Sequence, residues 1–223
     1  LELLLVAAAS KPVELPLLKH KSRLPSGERG LSLDALRAIR TFYDKRGALG
    51  KVMGDVCKEP GFEASACALT LSTGLSLAES LVRVANKDGV DVTKLVGSAT
   101  TFFSYSWTGT KLGDMLSAIE RKVEELERAD GVRRYVWVDM FAASQNLLAG
   151  RYLPATEAAR VELKQNDLAA YRARKEDTDT IFDDAIDAVG TSVPKEILLY
   201  LSPLTGEWLA PNHAFMVADR APP

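Results

Sequence analysis

Residues 100–120 read TTFFSYSWTGTKLGDMLSAIE, an apolar run that gives way to hydroxyls, a tryptophan and then an amphipathic helix. Ser104, Ser106 and Thr108 stand where hydroxyls and backbone N–H groups at a helix start bind ribose or phosphate. The same positions also suit a local purpose: Thr108 or Thr110 capping the helix and the serines satisfying turn amides. Trp107 and Trp137 have flat faces for stacking on a base or a nicotinamide ring, and equally the bulk to fill a core or an interface. Asp139 closes a second apolar run, YVWVD. It is placed to bind a ribose hydroxyl or act as an acid, or simply to accept backbone hydrogen bonds in its turn. Ser104 as a nucleophile needs a histidine; His213 is the distal candidate, and the constellation lacks a third member. A lone histidine near a chain end is more often polar surface.

Other chemistries lack support. No GxGxxG or GxxxxGK[ST] pattern occurs, so an ordinary dinucleotide or nucleoside triphosphate loop is absent from the sequence. Two cysteines, Cys57 and Cys67, and two histidines do not make a zinc spacing. The cysteines suit a reduced compartment, cytoplasmic or similar, although a disulfide between them is open on paper. Asp183, Asp184 and Asp187 read as a solvated helix face rather than metal ligands. A net charge of −2 and a pI near 5.8 give no positive field for nucleic acid or an anionic membrane. The leading apolar run Leu3–Ala9 is too short to span a bilayer, and no other segment reaches that length. It resembles a signal-peptide core, but Glu2 stands where a basic flank belongs. With no initiator Met, the start reads as processed or incomplete.

The elements that must position these residues are legible. At 223 residues and 47% hydrophobic, the chain can bury a sizeable core. Residues 1–30 form an arm broken by Pro12, Pro16 and Pro25. A helical extension spans 31–95. Its first helix starts at Ser32, with Asp34 in the first turn and Leu33, Leu36, Ile39 and Tyr43 inward. Ser76 caps a second helix, closed by Gly89. From 96 to 210 the pattern is α/β. ATTFFSYSW is a strand. The helix after it has an apolar stripe of Leu112, Met115, Ile119, Val123 and Leu126. RRYVWVDMF is the second strand, completing a right-handed βαβ unit. Residues 153–179 read as one exposed helix, followed by a helix with Ile181, Phe182, Ala185, Ile186 and Val189 inward. KEILLYLSP is the third strand, and 211–223 is a tail. The expected sheet is short and mostly parallel. Its strand-end loops, 104–110, 139–145 and 202–208, share one edge, where such sheets bind ligands.

FFSYSWTGTKLGDMLSAIE, YVWVDMFAASQN, IFDDAIDAVG and ILLYLSPLTGEW occur in the order seen in TIR-like domains. Residues 74–210 are most similar to the divergent TIR-like proteins of unicellular algae and related protists. The resemblance implies a flavodoxin-like α/β fold that either associates with other proteins as an adaptor or cleaves the nicotinamide–ribose bond of NAD. In cleaving members a glutamate lies four residues after a tryptophan. Trp208 matches that tryptophan, but Asn212 stands at the glutamate position and Leu209 where a cysteine often follows. An amide carries no charge and is no general base.

The resulting expectation is a non-catalytic TIR-like interaction or scaffold module with protein partners, through self-association or as part of a multi-subunit complex, and no resident cofactor. The alternative is an NAD-binding or NAD-cleaving enzyme that uses Ser104, Ser106, Trp107, Thr108, Asp139 and Trp208, with Asp139 and Ser104 as its chemical groups.

Overall fold

The computed structural model describes residues 23–58, 61–71, 73–107, 109–192, 196–200 and 215–217. Among the described residues six strands form one mixed sheet: β1 (Gly30–Leu31), β2 (Val96–Gly97), β3 (Thr101–Tyr105), β4 (Val136–Val138), β5 (Glu196–Tyr200) and β6 (Phe215–Val217), in the order β2-β1-β4-β3-β5-β6. β3 pairs in parallel with β4, Phe103 facing Val138, and with β5, Ser104 facing Leu199. The three apolar segments expected side by side therefore do run together.

The sheet is less parallel than expected. β1 is antiparallel to both β2 and β4, and β6 is antiparallel to β5. The strands added around the parallel core, β1, β2 and β6, are two or three residues long. Strands this short are below the length at which period-two alternation is readable.

From β3 the chain passes through α5 (Leu112–Asp130) to β4 on one side. It later returns through α10 (Thr178–Thr191) to β5 on the other side of β3. The winding direction thus reverses at β3. Alternation along the strands divides the core. Phe103, Val136, Val138 and Leu198 face the larger cluster, which includes Leu112, Met115, Ile119 and Val123 of α5 and Leu36 and Ile39 of α1 (Leu33–Asp44). Phe102 and Trp137 face the opposite side and meet Ala185 and Val189 of α10.

Local signals explain the helix ends. The Ser32 hydroxyl accepts from the Ala35 N–H to start α1. Ser76 and Glu79 form a reciprocal capping box on α4 (Leu77–Lys87). α5 ends at Gly131, whose φ of 70° is the left-handed conformation that glycine adopts without strain. Two short helices, α2 (Met53–Lys58) and α3 (Ala66–Thr70), fill the stretch between α1 and α4. The residues of 31–95 share the large core with the strands that follow.

Two expected elements come out differently. The second strand is only Val136–Val138, because Asp139 already opens the short helix α6 (Asp139–Ala142), followed by α7 (Gln145–Leu148). The exposed helix expected over 153–179 is two helices, α8 (Glu157–Asn166) and α9 (Leu168–Arg174). Asp167 lies between them, in non-helical backbone (φ −147°, ψ 80°), and its carboxylate caps α9 through the Ala170 N–H. An aspartate able to cap competes with continued helix at its own position. Neither helix contains a buried residue.

Candidate functional site

The rim at the ends of β3 and β4 centres on Asp139. Tyr105 is the last residue of β3, and Trp107 follows two positions later, on the same side by strand alternation. The Tyr105 hydroxyl donates to Asp139 Oδ1 at 2.6 Å, and Trp107 Nε1 donates to Oδ2 at 2.7 Å. The Met140 backbone N–H also donates to Oδ1, at 2.6 Å. Gln145 Nε2 donates to the Asp139 carbonyl at 2.9 Å, fixing the turn from behind. The Tyr105 and Trp107 rings lie nearly parallel, 13° apart, with centroids 6.4 Å from each other.

Burial pushes the Asp139 carboxyl above its ordinary range, and the hydrogen bonds from Tyr105, Trp107 and Met140 oppose that rise. The Tyr105 phenol is held well above its ordinary value, first by burial and then by the neighbouring carboxylate. The pair therefore has a fixed polarity: tyrosine donates and aspartate accepts. Asp139→Asn keeps the shape but turns an N–H toward the Trp107 N–H. A loss of about 1–3 kcal/mol is expected in urea denaturation, the cost of a polar group left without its partner.

The expected phosphate position at the start of α5 is taken up by the chain itself. The Leu112 N–H donates to the Lys51 carbonyl at 3.0 Å and the Gly113 N–H to the Leu49 carbonyl at 2.8 Å. Met53 N–H in turn donates to the Thr110 carbonyl at 2.9 Å. A Cβ at Gly113 would stand 3.0 Å from both Leu49 Cβ and its carbonyl oxygen, so glycine permits this close approach. The N-cap is Lys111, whose side chain makes no cap bond, and the Thr110 hydroxyl is buried without a partner among the described residues.

Ser104 sits half-buried within β3, and Ser106 is exposed. Thr108, Trp208, Asn212 and both histidines lie outside the described residues, as does the loop 202–208. Trp137 lies on the opposite face of the sheet from Tyr105 and Trp107, fully buried against Phe102 and Phe182 on the α10 side. Cys57 and Cys67 are both buried and are not joined in a disulfide. No group of three or more His, Cys, Asp and Glu side chains suited to a metal occurs among the described residues. Among those residues no helix is long and apolar enough to cross a membrane.

The sequence places Asp139 and Trp107 in one candidate site but does not show that they bond to each other, and Tyr105 is not among its candidates. The alternation Phe103, Tyr105, Trp107 was the available signal, since it places all three on one side of the strand path. No family model matches the chain, and comparison with curated proteins and with solved structures found no match.

Proposed function

We propose that the chain is a TIR-like protein-interaction module without a catalytic role of its own. The observation that carries this reading is the saturation of Asp139 from within. Three donors of the same chain occupy its carboxylate, while carbonyls of residues 49 and 51 occupy the first N–H groups of α5. A rim built to bind a dinucleotide would leave convergent polar groups open to it. The winding reversal at β3, with helices packed on both sheet faces, is compatible with the flavodoxin-like arrangement that TIR-like domains adopt. Asn212 at the position of the family glutamate points the same way.

NAD binding or cleavage is the second reading. It is favoured by one feature: a carboxyl raised by burial at a strand-end rim is a common property of acid–base groups. Incubating the full chain with NAD and separating the products decides between the two. No released nicotinamide is expected. Turnover that is lost in a folded Asp139→Ala variant would overturn the interaction-module reading.

A further inference from the structure

α8 and α9 together contain no buried residue, which is unusual for a pair of helices in a packed chain. A helix without a buried face needs another source of stabilisation or a partner. Val161 is 45% exposed and Leu168 44% exposed, and both are among the largest exposed apolar side chains described. Around them, Glu157 through Lys175 holds five cations, Arg160, Lys164, Arg172, Arg174 and Lys175, against three carboxylates.

α10 has the opposite character. Its inward face is Ile181, Ala185 and Val189. Its outward face carries Asp179, Asp183, Asp184 and Asp187, all exposed, and the helix has no lysine or arginine. Asp179, Asp183 and Asp187 follow one another at four-residue spacing, where like charges repel along a helix. No ion pair joins any of the four to another described residue. One chain therefore presents a basic surface with an apolar centre and, separately, an acidic ridge that no cation among the described residues pairs with.

We propose that a second copy of this chain covers α8–α9, with the acidic ridge of α10 from each copy seated on the basic pair of the other. This rests on the interaction-module reading and names its partner. Charge complementarity selects the occupant, because two copies supply both halves of the contact. A two-fold arrangement makes that contact twice. Val161 and Leu168 supply the apolar centre, and the charges set orientation and exclude the wrong pairing.

The test is sedimentation of the full chain over a concentration series. At low salt the mass is expected to rise to twice that of the monomer. At 1 M salt, where charges are screened beyond about 3 Å, dimerisation weakens. Val161→Glu with Leu168→Glu is expected to weaken it at least about tenfold, because charge replaces the apolar centre. Arg172→Glu with Arg174→Glu gives a chain acidic on both surfaces. Asp179→Lys, Asp183→Lys and Asp187→Lys together give one basic on both, with Asp184 the one carboxylate left on the ridge. Each alone is expected to remain monomeric, while their equimolar mixture recovers a dimer. That recovery also shows that both variants are folded. A wild-type chain monomeric throughout, charge-reversed chains that dimerise like wild type, or a mixture that stays monomeric would each overturn the proposal. Nicotinamide release, the readout that would sink the interaction-module reading, is independent of all these outcomes.

Discussion

Glu176→Ala is expected to destabilise the fold by about 3–5 kcal/mol, read as a lower urea midpoint, because it strips one partner from a buried charge network. Glu176 Oε1 lies 2.8 Å from Arg29 Nη1 and 3.0 Å from Arg23 Nη2. Its Oε2 accepts from the Ser144 N–H at 2.8 Å. Glu79 completes the group. It pairs with Arg23 at 2.9 Å and accepts from the backbone N–H groups of Leu24 and Ser76. Arg29 spends its other donors on the carbonyls of Leu24 and Ala142. Two guanidinium groups and two carboxylates thus balance inside the protein. They tie the segment before β1 to α4, to the turn after α6 and to the approach to α10. Without Glu176, a net positive charge and an unpaired N–H remain buried. Glu176→Gln keeps an acceptor for Ser144 and is expected to cost less. A loss under 1 kcal/mol for Glu176→Ala would mean that the network opens to water and is not buried in solution.

The same network gives a pH dependence through Glu79. Burial alone would raise its carboxyl, but Arg29, Arg23 and the Ser76 N–H bring it below the ordinary value. A carboxyl lowered on folding contributes stability that is present above its unfolded pKa. That contribution is lost as the pH falls through its folded pKa. The stability difference between wild type and Glu79→Gln is therefore widest at neutral pH and closes in acid. Denaturation midpoints across an acid series measure it.

Trp137→Ala is expected to cost a similar amount, about 3–5 kcal/mol, by a different route. Its ring is fully buried, stacked on Phe102 at 5.2 Å and edge-on to Phe182 at 5.1 Å. Its Nε1 donates to the Ser26 carbonyl at 3.1 Å, joining β4 to the turn before β1. The cluster around it is small: Ala99, Phe102, Ala142, Ala185 and Val189 are its other buried members. The parallel strands on one side and α10 on the other limit collapse into the space. Trp137→Phe keeps most of the ring and gives up the hydrogen bond, so about 1–2 kcal/mol is expected. Urea denaturation of both variants separates the cavity from the hydrogen bond. Equal losses would show that the lost hydrogen bond, not the volume, sets the cost.

The features legible in the chain are those decided by near neighbours. Ser32 and Ser76 announce helix starts because a cap bonds to an N–H three residues away. Leu112, Met115, Ile119 and Val123 announce a buried helix face because helical periodicity is local. The three central strands could be placed in one sheet because each lies within an apolar run of the sequence, although β4 itself is only Val136–Val138. Tertiary structure decided what depends on distant parts of the chain. The two-residue strands β1 and β2 carry no pattern of their own and exist through their pairing. The start of α5 is covered by residues 49–53, which no spacing near 112 reveals. Asp139 could be singled out as a rim carboxylate, but its donors Tyr105 and Trp107 lie 34 and 32 residues earlier. Arg29 and Glu176, 147 positions apart, pair only because the folded sheet brings the segment before β1 beside the approach to α10. Local sequence sets which helices and strands can form, whereas the chemistry of each buried polar group depends on contacts that exist only once those elements have packed.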